Sequence, residues 1–201
     1  CHWNRKFRDH MDDILITRKQ DEEFTDGTRN RVIVFKSCFP NSWITSEGNA
    51  PGDSDSCEKT TANYKAMYRN LLDYFRNQPD TLFAVFSSPP LAKPELSSKG
   101  KILDALKTVG GRPDTVHKIG KRARSFKNWL KDVENGLLKG YELNNVVVFD
   151  YYDILTDKGK SDWSAYPTRG GRDSHSSNES QVRTSQEFVP VLNVAVDRMG
   201  L

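Results

Sequence analysis

The sequence predicts an α/β domain with a parallel sheet, and three observations predict it. Three short apolar runs, 31–35 (RVIVF), 81–86 (TLFAVF) and 145–149 (NVVVF), lack polar alternation, as strands buried on both faces do. Segments with apolar residues at helical spacing alternate with these runs. Each run closes on a polar or proline-rich block. Helix, strand, helix, strand, helix, strand, helix is the order of an open parallel sheet covered on both faces, a three-layer α/β/α arrangement. With 201 residues the chain is the length of one domain, 1–201.

In order, residues 4–17 place Phe7, Met11, Ile14 and Leu15 on one face and read as an amphipathic helix. Asp26-Gly27 marks a turn before the first strand. Residues 46–56 are Gly, Pro, Asp, Ser and Asn and read as a loop. Thr60 or Thr61 caps the next helix, which turns Tyr64, Met67, Tyr68, Leu71, Leu72 and Phe75 inward and ends near Asn77. After the second strand comes Ser87-Ser88-Pro89-Pro90, then an irregular stretch to Asp114 with a short helix expected near 102–106. Residues 119–133 read as a helix with Ala123, Phe126, Trp129, Leu130 and Val133 inward. The third strand ends at Asp150. Residues 156–177 read as a long loop. A last helix starts near Asn178 or Glu179 and runs toward Met199, where Pro190 is expected to kink or break it.

A formal charge of +3 gives no argument for a nucleic-acid or membrane partner. No apolar run reaches the roughly 20 residues of a membrane-spanning helix. Of three cysteines, Cys1, Cys38 and Cys57, the last two either bridge a polar loop in an exported protein or are both free. No Cys/His spacing matches a structural zinc site.

Ligands of open α/β sheets bind beyond the carboxyl ends of the strands. There the sequence puts Ser37, Cys38 and Asn41, then Ser87 and Ser88, then Asp150 and Asp153. Before the last helix stands Asp173-Ser174-His175, an acid and an imidazole in one short step. A carboxylate that orients an imidazole is the acid–base half of a nucleophilic triad.

The blocks VIVFKSCFPNS, NYKAMYRNLLDYF, LFAVFSSPPL, RARSFKNWL, VVVFDYYDIL and DSHSSNES resemble those of the SGNH (GDSL-like) hydrolases across about Arg31 to Leu192. The resemblance implies a flavodoxin-like fold and cleavage or transfer of an acyl ester, with a small-molecule or carbohydrate ester as substrate and no cofactor. It makes Asp173 the triad acid, His175 the general base and Asn41 an oxyanion-hole amide, with the Ser37 or Cys38 backbone N–H in place of the family's block glycine. Two departures accompany it. Ser-Cys-Phe-Pro-Asn replaces Gly-x-Asn. The family's nucleophile block, which should precede the first helix, is not present, so the nucleophilic serine is expected upstream of Cys1 and the domain is read as N-terminally incomplete. Ser37 is the best nucleophile within the chain, but its block order assigns it to the oxyanion wall. Gly52-Asp53-Ser54 follows no strand and reads as coincidence. Export, to the periplasm or outside the cell, is the expected location. The alternative is a non-catalytic glycan- or protein-binding domain on the same fold.

Four further features have plainer readings. Lys118, Lys121, Arg122, Arg124, Lys127 and Lys131 read as the solvated face of a helix. Asp150, Asp153, Asp173 and His175 are a conceivable divalent-metal set, but Asp150 at a strand end reads first as an acceptor for loop amides, and no metal is expected. Trp3, Trp43 and Trp163 read as packed under loops rather than as a sugar-stacking rim. His2, His10 and His117 read as surface residues without a nearby acid.

Overall fold

A computed structural model describes residues 2–95, 99 and 115–201; the helix expected near 102–106 lies outside them. The amino-terminal segment forms α1 (His2–Asp9) and α2 (Met11–Ile16) in place of one continuous helix. Phe7 and Leu15 are buried from both. A small hairpin, β1 (Thr17–Lys19) with β2 (Glu22–Glu23), leads to β3 (Val32–Lys36).

The sheet is parallel, in the order β3, β4 (Leu82–Phe86), β5 (Val146–Phe149). Val32 pairs with Leu82 and Lys36 with Phe86; Phe83 pairs with Val146 and Phe86 with Phe149. The register sorts side chains onto two faces, since neighbours along a strand point oppositely. Ile33, Phe35, Phe83, Val85, Val146 and Val148 face a core that includes Phe7, residues of α3 (Thr61–Arg76), and Phe126 and Leu130 of α4 (Thr115–Lys131). Within it Phe75 stacks on Phe83 at 4.0 Å between ring centroids. On the opposite face Phe86 and Phe149 meet α5 (Tyr151–Leu155) and Phe188 of α6 (Asn178–Met199).

Local chemistry starts and stops these elements. The Thr60 side chain accepts the Asn63 N–H and caps α3; Ser177 does the same for α6 through Ser180. Asn145 is buried at the start of β5. Its Nδ2 donates to the Phe75 and Gln78 carbonyls and its Oδ1 accepts from Tyr141, so the end of α3 is tied to the sheet. Gly52 has a φ of +85°, and a Cβ there would meet the Ala62 carbonyl oxygen at 2.3 Å. The Gly52-Asp53-Ser54 step is therefore a tight turn against the start of α3.

Four expectations need correction. β3 is not buried on both faces: Val34 is 48 % exposed, and the outer edge of β3 lines a cleft of about 920 Å3 shared with α1 and α2. Val133 lies beyond the end of α4 and is solvent-exposed. Pro190 does not end α6; it and Gln186, whose carbonyl would have received the missing N–H, both face water. Residues 156–177 are not all loop. They contain β6 (Pro167–Thr168) and β7 (Asp173–Ser176), an antiparallel pair around a 3-10 turn at Arg169–Gly171.

Candidate active site

β7 explains why Asp173 and His175 meet. Residues two apart on a strand share a face, and the alternating serines Ser174 and Ser176 anchor the strand from the other side. Ser174 Oγ accepts the Ala92 N–H at 2.9 Å, and Ser176 Oγ lies 2.9 Å from the Tyr151 hydroxyl. This fastens the hairpin to the loop after β4 and to α5. Asp173 Oδ1 then accepts from the His175 backbone N–H at 3.0 Å and contacts Nδ1 at 2.6 Å.

A carboxylate only accepts, so Nδ1 carries the proton and Nε2 is the basic nitrogen of the neutral ring. Those two hydrogen bonds from His175, backbone first, hold the Asp173 carboxyl below the usual carboxylate range, with help from Arg169. His175 is exposed, and no hydrogen bond among the described residues engages Nε2. Its ring stands edge-on to Phe39 at 4.9 Å.

Phe39 opens the 3-10 turn Phe39–Ser42 that follows β3. The same turn carries Asn41, whose Nδ2 donates to the Cys38 carbonyl and whose Oδ1 accepts from Tyr64. Ser37 accepts from Trp3 Nε1 at 2.9 Å and is hydrogen-bonded to Tyr68. Ser37 and Asn41 line one cavity of about 310 Å3 with Cys38, Ser88 and Lys127. The structure thus brings Asp173 to His175, and Ser37 to Asn41. It connects the pairs through Phe39, with His175 outside the residues that line the cavity.

Asp150 does not accept from loop amides as expected but caps α5 from the end of β5. Its Oδ1 receives Ser87 Oγ and the Asp153 N–H, and its Oδ2 pairs with Lys131 at 2.7 Å. Asp153 is held by Arg124 at 3.0 Å. Both acids are engaged by cations. Among the described residues no group of three or more His, Cys, Asp or Glu is placed to hold a metal ion. Trp3 lines the cavity, whereas Trp43 lines a separate pocket and, at 41 % exposed, is not packed under a loop as expected; the two form no common rim. His10 has an acid after all, Asp13 at 2.9 Å, in an exposed pair.

Neither cysteine alternative stands. Cys57 is disulfide-bonded while Cys38 is a free, exposed thiol. The remaining cysteine of the sequence, Cys1, lies outside the described residues.

The basic helix face also needs correction at Lys127, which is 1 % exposed. Its Nζ donates to Ser88 Oγ at 2.6 Å and lies 4.6 Å from the Phe126 ring centroid. Burial pushes its ammonium down to about 7, against the opposing pull of Asp150. The signal was available in the spacing. Ala123, Lys127 and Leu130 fall four and three residues apart, on the stripe that faces the core.

No helix among the described residues is long and apolar enough to cross a membrane. No protein-family model, curated protein or solved structure matches the chain.

Proposed function

We propose that this chain is an SGNH-type domain, a three-layer α/β/α fold of the flavodoxin-like kind, that hydrolyses or transfers an acyl ester. The observation that carries the reading is the Asp173–His175 contact at 2.6 Å, with Nε2 left open at the strand-end side of the molecule. In this reading Asp173 orients the ring, and Nε2 takes the proton of a nucleophilic serine supplied upstream of Cys1. Asn41 and a backbone N–H at Ser37 or Cys38 receive the oxyanion. The outer edge of β3, unpaired among the described residues, supports the reading, since it offers a place for a further strand beside Ser37. An acylated carbohydrate is the proposed substrate class. The disulfide at Cys57 supports export, because such bonds persist in oxidising compartments.

The test uses the protein with whatever sequence precedes Cys1. A fluorophosphonate probe labels one serine N-terminal to Cys1, and His175→Ala abolishes ester turnover. Asn41→Ala lowers kcat about 100- to 1000-fold. Absence of both labelling and ester hydrolysis in the folded protein overturns the reading.

A non-catalytic glycan- or protein-binding domain is the second reading. It is favoured by the aromatic cavity, whose lining does not include His175. It requires saturable glycan or protein binding without turnover.

A further inference from the structure

We propose that the cavity of about 310 Å3 at the ends of β3 and β4 binds a small organic carboxylate, anchored by the Lys127 ammonium. A cation removed from water costs several kcal/mol unless an anion compensates it. Lys127 has no such partner. Among the described residues no carboxylate lies within ion-pair distance of Nζ, and its one hydrogen bond goes to the neutral Ser88 hydroxyl. Asp150, the acid that acts on Lys127 from further off, is already paired with Lys131. An ammonium has three donors, so two remain.

The cavity walls define the rest of the ligand. Trp3, Tyr64, Tyr68, Met67 and Phe126 present apolar surface, and Ser37 and Asn41 present polar atoms. The volume is at the small end of ligand sites, which run from about 300 to 1000 Å3. A carboxylate on a compact apolar or ring body satisfies both the charge and the walls, whereas an inorganic anion leaves the walls bare. This binding rests on the cavity and on Lys127 and is independent of the acyl-hydrolase reading.

Benzoate is the probe, titrated calorimetrically into the unmodified protein, with benzyl alcohol and inorganic phosphate as controls. The expected result is saturable one-to-one binding that weakens about tenfold from pH 6 to pH 8, as an ammonium with a pKa of about 7 loses its charge. Benzyl alcohol shows no such pH dependence. The other ionisable groups around Nζ are Asp150 and Lys131, paired to each other, and Tyr64, Tyr68 and Tyr152, whose phenols burial pushes up. Arg124 lies one turn back on α4, and Lys36, Cys38 and His2 line the cavity. The His2→Gln and Cys38→Ser variants keep the pH dependence if Lys127 is its source.

Lys127→Met removes benzoate binding. If that variant fails to fold, the pH series on the unmodified protein decides alone. Non-saturable binding, an affinity indifferent to pH, or phosphate binding more tightly than benzoate overturns the proposal. His175→Ala separates the two readings, since it is expected to leave benzoate affinity unchanged. Loss of ester turnover in that variant bears on the hydrolase reading only.

Discussion

Arg124 and Lys127 stand three residues apart on α4 and live in opposite electrostatic surroundings. The Arg124 guanidinium meets Asp153 at 3.0 Å, Asp162 at 3.4 Å, Thr156 Oγ1 at 2.6 Å and the Ser161 carbonyl at 2.6 Å, and it lies over the Tyr152 ring. Its planar fork is nearly saturated, and it ties α4 to the segment after α5. Lys127 points into the strand-end cavity with one hydroxyl partner and, among the described residues, no carboxylate within ion-pair distance. A cation whose donors are all spent on its own chain holds structure together. A buried cation with donors to spare is poised for something that is not part of the chain.

Arg124→Ala is expected to destabilise the protein by about 3 kcal/mol in urea unfolding, because two partly buried carboxylates lose their partner. Arg124→Lys keeps the charge but not the fork and recovers about half of that loss.

Lys127→Met is expected to move stability the other way, by about 2 kcal/mol at pH 6. In the folded state the ammonium sits at about 7 against an ordinary 10.5. Between those values the unfolded chain binds more protons, so stability rises with pH; below about 7 both states are protonated and the burial cost is felt in full. The advantage of Lys127→Met therefore shrinks as pH rises from 7 toward 10. Thermal unfolding of both proteins at pH 6 and pH 10 checks this, and an advantage that grows with pH contradicts the buried, uncompensated ammonium.

The smallest expected effect is at His175, where an exposed ring stands edge-on to Phe39 and meets Asp173. His175→Ala changes stability by less than about 0.5 kcal/mol, as urea unfolding at pH 7 will measure. A larger loss assigns the pair a structural role. Thiol counting under denaturing, non-reducing conditions finds Cys38 reactive and Cys57 protected; two reactive thiols at these positions contradict the bond at Cys57.

Much of this molecule was legible in local pattern. The three parallel strands lie within a residue of where their apolar runs put them, and Thr60 caps α3 as its side-chain chemistry requires. Asp173 and His175 were found as a pair from spacing alone, although the reason they meet is a strand's two-residue period rather than a loop's freedom. Such features depend on residues close in sequence, where helix and strand geometry already decides which side chains are neighbours.

What surrounds a side chain is another matter. Whether Val34 is covered depends on how far α6 reaches across the sheet, and whether Lys127 meets water depends on Ser88, almost forty residues earlier in the chain. Composition places a lysine outside by default, because burying charge is costly. Only the packing of α4 against the ends of β3 and β4 turned this one inward, since the sequence states a residue's charge while the fold determines the dielectric around it.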